Sequence, residues 1–356
     1  MLNVLTKNEG RGGGRVVSKQ GRTLRVRWAA ALAAAAILCA QSALAAEQHE
    51  LRIAKQFGIS YLPLEVMEVR QLVEKQAKAA GLGEIKVEWS QLSSGAPMND
   101  ALLSGNLDMV SGGVGPMLTI WSKTKGNYGV KAVSSINSMP LYLTTIAPAV
   151  KTIRDFTDKD RIALPAVKVS IQAVTLQMAA EAALGGKFDA LDHLTVSMAH
   201  PDGMVAMLSG KSEITGHFTS APFMYQELED PRVHRVLSSY EVLGGPSTFN
   251  LVWTTTKFHD QNPRLYRAFV AALEEAMTSI NGDKHAAAEL WIAAEKSRLP
   301  LPFVEKILAD PENVFTTTPQ NVMKYAEFMH KVGSIKDRPG SWADVFFPEI
   351  HGKSGS

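Results

Sequence analysis

Residues 101–116 read ALLSGNLDMVSGGVGP. Leu102 and Leu103 close an amphipathic helix. Gly105 stands where a left-handed C′ residue is favoured, because without a Cβ it has nothing to clash there. Residues 107–110 suit a short buried strand. Ser111, Gly112 and Gly113 leave bare backbone at its carboxyl end, and Pro116 suits the first position of a new helix. In open α/β sheets a ligand lies beyond the carboxyl ends of strands, where backbone N–H groups can face it.

Residues 206–218, AMLSGKSEITGHF, repeat this device 105 residues further on. Leu-Ser-Gly recurs at 103–105 and 208–210, an acid at Asp108 and Glu213, and Gly112 falls near Gly216. A helix–Gly–strand unit is common, so one match also arises by chance. The reading adopted is two similar lobes, each offering a glycine-bearing strand end to a shared cleft.

A chain of 356 residues exceeds the usual single core, and 46% apolar with 20% charged residues is ordinary for a globular protein. The N-terminus has a different character. Lys7, Arg11, Arg15, Lys19, Arg22, Arg25 and Arg27 stand against Glu9, an apolar run fills 28–40, and Ala43-Leu44-Ala45 is a small-x-small site. That layout predicts a secretory signal peptide over 1–45, cleaved near Ala45. The run is too short for a membrane anchor, which needs about 20 apolar residues.

The chain holds 37 Lys and Arg against 35 Asp and Glu; residues 1–27 carry seven and one of these, so cleavage moves the net charge from +2 to about −4. No basic face then remains for nucleic acid. Cys39, the single cysteine, leaves with the signal, which excludes a disulfide or cysteine metal site in the exported product.

After residue 50, strands are predicted at 51–57, 85–89, 107–110, 129–135, 141–146, 162–164, 194–198, 213–218, 233–237 and 249–255. Helical stripes fall between them. One such helix runs from Leu62 through Ala77, and another is capped by Ser170 and reaches Leu184. Strand–helix–strand order predicts parallel sheets with crossover helices. Helices follow from residue 265 onward, including one started by Thr318-Pro319-Gln320. The predicted division is lobe one at 46–138 and 247–356, and lobe two at 139–246.

With these residues in view the chain resembles the periplasmic substrate-binding proteins of ABC importers, of the nitrate/sulfonate/taurine type related to thiamine-precursor binders. The likeness rests on Leu51-Arg52-Ile53-Ala54, on ALLSGNLDMVSGGVGP, and on IRDFTDKDRIA at 153–163. It rests also on the Ser170 helix, and on AMLSGKSEI followed by Ser220-Ala221-Pro222. It covers residues 50–350. The resemblance implies an α/β, two-lobed periplasmic-binding-protein fold (type II) with two crossovers and the C-terminal helices on lobe one. It implies a monomer that closes on a small-molecule ligand and delivers it to an ABC permease, without a cofactor.

The ligand-binding positions carried over are Gln56, Phe57 and Gly58 at the first strand end; Ser111, Gly112, Gly113 and Val114 at the glycine turn; and Asn137 and Ser138 at the crossover. In lobe two they are Val169, Ser170, Ile171 and Gln172 at the helix start, and His217 and Phe218 at the second strand end. Phe249 and Asn250 complete the wall.

Each candidate has a plainer reading. Ser170 is a helix cap or a cap that also meets a ligand at a helix end favouring anions. His217 donates to an oxyanion or to a neighbouring carbonyl. Asn137 and Ser138 contact the ligand or hold the hinge, with ligand contact favoured. Lys55 and Lys168 are cleft cations or solvated surface groups. His193, His200 and His217 lack metal-ligand spacing, and no G-x-S-x-G, H-E-x-x-H or Walker loop is present.

The sequence reading is therefore a non-catalytic exported binder of a small organic anion, sulfonate- or taurine-like. Its rival is a binder of a neutral heterocycle such as a pyrimidine. A catalyst on the same scaffold stands further off, since fold alone does not fix function.

Overall fold

The structure is a computed structural model and describes residues 47–356. The signal-peptide reading lies outside the described residues. Among the described residues ten strands form two five-stranded sheets. In the first, β1 (Glu50–Lys55), β2 (Lys86–Gln91), β3 (Met109–Gly113), β4 (Lys131–Ser135) and β10 (Asn250–Thr254) lie in the order β2-β1-β3-β10-β4. In the second, β5 (Tyr142–Thr145), β6 (Ile162–Leu164), β7 (Thr195–Ser197), β8 (Gly216–Thr219) and β9 (His234–Ser238) lie in the order β7-β6-β8-β5-β9.

The two orders are the same pattern. The predicted repeat falls on equivalent strands: β3 and β8 are each the central strand of their sheet and pair in parallel with β1 and β6 respectively. Gly105 (φ +77°) and Gly210 (φ +61°) both take the left-handed conformation before them.

The sheets are mixed rather than wholly parallel. β10 runs antiparallel to β3 and β4, and β5 antiparallel to β8 and β9. The cause is the chain path. β4 runs toward the boundary between the sheets and crosses into the second as β5, which therefore starts where its neighbours end. β9 runs back to the same boundary, and the chain returns as β10 by the same geometry.

Other expectations shift by small amounts. β3 extends through Gly113 and the next helix, Val114–Thr124, starts at once, so Gly112 and Gly113 are strand residues and Pro116 sits two positions inside the helix. The predicted helix from Leu62 breaks into Leu62–Val69 and Leu72–Ala79, because Gln71 takes a left-handed φ of 50° and leaves Val69 more than half exposed. The last α-helix is Val322–Lys331, with Asn321 at its N-cap position in place of Thr318 and no side-chain cap bond. It is not confined to the first-sheet side: Tyr325 meets Thr175 at 3.0 Å and Lys331 pairs with Glu181 at 2.8 Å.

Candidate functional site

The two sheets face each other across a narrow cleft at the strand ends. Gln56, Phe57, Tyr61, Gly113 and Phe249 line it from the first side; Pro165, Ser170, Ile171, Gln172 and His200 line it from the second. Two helices start here from opposite walls, Val114–Thr124 and Ile171–Ala183. Each presents first-turn N–H groups that no carbonyl of its own helix can accept, together with the positive end of its dipole.

The walls meet closely. A Cβ on Gly113 would stand 2.5 Å from Ile171 Cγ2, and one on Gly115 would stand 2.9 Å from the Val169 carbonyl oxygen. Only glycine allows this approach. The cavity left between them is about 10 Å³, roughly one water.

The predicted residues sort into three groups. Gln56, Phe57, Gly113, Ser170, Ile171 and Gln172 line the cleft, as does Phe249. Gln56 donates from Nε2 to the Ser111 carbonyl at 3.3 Å. Ser170 caps its helix by accepting from the Ala173 N–H at 3.2 Å. Gly58, at φ +116°, sits at the cleft end, where an added Cβ would stand 2.9 Å from the Ala221 carbonyl oxygen of the second side. Val169 contributes its carbonyl to the close approach just described.

A second group stands one side chain behind the wall. Gly112 is covered by Gln56 Nε2 and Trp253, which a Cβ there would meet at 2.7 and 3.0 Å. The Ser111 hydroxyl donates to the Ala54 carbonyl at 2.7 Å, tying β3 to β1. Val114 and Phe218 are core residues with no exposed surface. His217 is fully buried behind His200. Burial takes all of these out of the lining.

Asn137 and Ser138 form the third group, fully buried and bonded to other parts of the chain where it passes between the two sheets. Asn137 donates from Nδ2 to the Ser60 carbonyl at 2.6 Å and accepts the Asn250 N–H at 3.1 Å. Ser138 Oγ donates to the Ser247 carbonyl at 2.9 Å and lies 3.0 Å from the Tyr240 hydroxyl. Asn250 is held in the same network, donating to Ser60 Oγ at 2.9 Å.

Neither lysine lines the cleft. Lys55 is buried with its ammonium 2.6 Å from both Glu65 and Glu68, and Lys168 is exposed at φ +65°.

Site reasoning on the sequence missed Tyr61, Gly95, Pro116, Pro165 and His200 among the lining residues, and His200 is the histidine among them. It starts the helix His200–Ser209, with Pro201 next and Gly203 one turn on. A Cβ on Gly203 would stand 2.8 Å from His217 Nε2, so this glycine makes room for a second ring. Behind the cleft a buried polar chain follows. Gln172 Nε2 donates to His200 Nε2 at 3.2 Å, since an amide nitrogen cannot accept. His200 then carries its proton on Nδ1, 3.1 Å from His217 Nε2 and 3.0 Å from Thr219 Oγ1. His217 Nδ1 donates to Glu227 Oε1 at 2.5 Å, and Thr144 Oγ1 donates to Glu227 Oε2 at 2.6 Å.

Burial, with His217 alongside, pushes the His200 pKa well below the ordinary imidazole value. The sign of the pH effect follows. Below an unfolded-state pKa of about 6.5 the unfolded chain takes a proton on His200 that the native state refuses, so stability is lost as pH falls and is unaffected above it. Comparing urea unfolding of the parent and His200→Gln from pH 7.5 to 5.0 isolates this residue. The expected difference in slope is up to about 1.4 kcal/mol per pH unit below pH 6.5. Parallel curves would exclude a buried neutral His200.

Among the described residues no group of three or more His, Cys, Asp or Glu is placed to hold a metal ion, and no helix is long and apolar enough to cross a membrane.

The sequence profile of the NMT1-like family matches residues 44–294. No curated protein matches the chain. Among solved structures, the alkanesulfonate-binding protein SsuA from Xanthomonas axonopodis, bound to MOPS, superposes with a TM-score of 0.67 at 18% identity, over 85% of this chain and 99% of that one. The periplasmic aliphatic sulphonate binding protein SsuA from Escherichia coli gives 0.62 at 17% identity, over 83% and 97%. The periplasmic nitrate-binding protein NrtA from Synechocystis gives 0.63 at 14% identity, over 84% and 85%. At these identities the likeness is one of fold.

Proposed function

Since the chain belongs to the NMT1-like family and has the fold of periplasmic binding proteins, we propose that it is an exported, non-catalytic solute-binding protein that hands a small organic anion to an ABC importer in the inner membrane. The two sheets mark two lobes that open and close about the crossovers at 136–141 and 239–249 as a hinge.

The observation that carries the anion reading is the convergence of two helix N-termini, at Val114 and Ile171, on one closed cleft. Helix-end amides and aligned dipoles from both walls favour a negative group between them, and closure excludes the water that would screen it. Gln56 and Gln172 add amide groups, and Phe57 and Phe249 flank them.

A neutral heterocycle is the second reading, favoured by one observation: no Lys or Arg is among the residues lining the cleft, and its His200 is neutral.

Protein lacking residues 1–45 separates the two in a thermal-shift panel of sulfonates, nitrate, carboxylates, pyrimidines and amines. A ligand at 100 times its Kd adds about 2.7 kcal/mol to stability. Stabilisation by sulfonates or carboxylates is expected; stabilisation by neutral pyrimidines alone would overturn the anion reading, and turnover of any compound would overturn the non-catalytic one.

A further inference from the structure

The polar chain behind the cleft can run in two senses. As it stands, every donor points away from the cleft: Gln172 Nε2 to His200 Nε2 at 3.2 Å, His200 Nδ1 to His217 Nε2 at 3.1 Å, and His217 Nδ1 to Glu227 Oε1 at 2.5 Å. Gln172 and His200 are cleft-lining, while His217 and Glu227 are wholly buried. With its nitrogen committed to His200, the Gln172 amide has its oxygen left for the cleft.

The reverse sense uses the same heavy-atom positions. Turning the Gln172 amide exchanges its oxygen and nitrogen, and a neutral imidazole donates from either ring nitrogen while accepting at the other. With one added proton, His217 Nε2 donates to His200 Nδ1, and His200 Nε2 donates to Gln172 Oε1. The Thr219 hydroxyl, 3.0 Å from His200 Nδ1, can accept or donate and so serves both senses. The proton count closes. The new proton arrives on His200 Nε2 at the cleft wall, the proton on His200 Nδ1 passes to His217 Nε2, and His217 becomes an imidazolium on Glu227.

The surroundings assign that charge to His217. β5 faces it with Thr144, β6 with Ala163, the helix His200–Ser209 with His200 and Met207, and the helix Phe223–Leu228 with Glu227. Glu227 is the one carboxylate among these, and it stands on His217. Burial pushes His200 away from its charged form.

We propose that this chain is a proton-set polarity switch: without the added proton it turns the Gln172 oxygen to the cleft and suits a ligand that donates, and with it the Gln172 amino group faces the cleft and suits an anion. His217 and Glu227 are then positioning residues that choose the charge of the ligand without touching it. The proposal rests on the anion reading only for which sense the solute selects. An anion in the cleft takes up a proton, and by reciprocity acidification tightens anion binding, by up to about tenfold per pH unit.

Nitrogen–proton NMR of isotope-labelled histidines, assigned through His200→Gln and recorded from pH 8 to pH 5, reads the tautomers directly. His200 is expected to exchange its Nδ1 proton for one on Nε2 in the same step in which His217 gains its second proton. Calorimetry with nitrate, formate and methanesulfonate, in phosphate and in Tris at pH 7.5, is expected to show uptake of up to about one proton per anion bound, with the same exchange at His200. Glu227→Gln keeps an acceptor for His217 Nδ1 and removes the charge, and is expected to lose both the uptake and the pH dependence of affinity.

His200 holding its proton on Nδ1 at every pH and with every anion would overturn the switch, as would anion binding without proton uptake. In either case an anion that binds leaves the anion reading standing. Exchange at His200 on acidification, with none of the three anions bound, would support the switch and overturn the anion reading.

Discussion

Gly113→Ala is expected to weaken ligand binding about 10- to 100-fold while leaving the ligand-free protein nearly as stable as the parent. The added methyl group would stand 2.5 Å from Ile171 Cγ2 and 2.7 Å from Ile171 Cβ, and crowding of this kind costs about 1–3 kcal/mol. At 1.4 kcal/mol per tenfold, that is the stated loss. What makes the cost fall on binding is where the clash lies. Gly113 ends a strand of the first sheet and Ile171 starts a helix on the second side. On the proposed hinge, opening separates them, and the free protein escapes the strain.

Gly95→Ala provides the contrast. Its Cβ would stand 2.7 and 2.9 Å from Pro116 Cβ and Cγ, within the first-sheet side, where opening brings no relief. Urea unfolding of Gly95→Ala should show a loss of about 1–3 kcal/mol. If Gly113→Ala loses as much stability as Gly95→Ala and binds as tightly as the parent, the Gly113–Ile171 contact is not one made on closure.

The residues that could be read from the sequence are those whose reason is local. Gly105 and Gly210 precede strands after helices, and their left-handed torsions follow from that position alone. Ser170 caps a helix because its hydroxyl meets an amide three residues away. Hence the positions of the strands along the chain, the glycine-bearing end of β3 and half the lining were legible, including Gln56, Gly113 and Gln172, whereas the second glycine, Gly216, opens β8 instead of ending it.

What was not legible depends on distant partners. The antiparallel setting of β5 and β10 is a property of the path between sheets, invisible to periodicity within either strand. No Gly or Pro marks the break at Gln71. Asn137 and Ser138 have the chemistry of ligand-binding residues, and only the positions of Ser60, Ser247 and Asn250 reveal that their groups are already engaged. His200 lines the cleft while His217 does not, because β8 places His217 one layer deeper and Gly203 admits its ring.

That deeper layer leads to the largest expected effect on stability. His217→Leu should destabilise the protein by about 3–5 kcal/mol, the cost of leaving a buried charge without its partner. His217 and Glu227 are both without exposed surface and 2.5 Å apart. Once the imidazole is gone, the Glu227 carboxylate keeps a single donor, Thr144 Oγ1, for two oxygens. Leucine supplies comparable bulk, so a cavity is not the main cost.

Two further variants separate an unpaired charge from general damage to the core. Glu227→Leu removes the charge and should cost less than His217→Leu. Replacing both residues by leucine should recover about 0.5–3 kcal/mol of the summed single losses, the range of coupling between residues in contact. Apolar replacement of a whole buried pair is often neutral, while removal of one member is not. Urea unfolding of the four proteins at pH 7.5, where His200 is neutral in both folded and unfolded chains, measures this coupling. Additive losses would mean that His217 and Glu227 do not act as a pair, and that the chain of hydrogen bonds behind Gln172 is not what holds His200 in its tautomer.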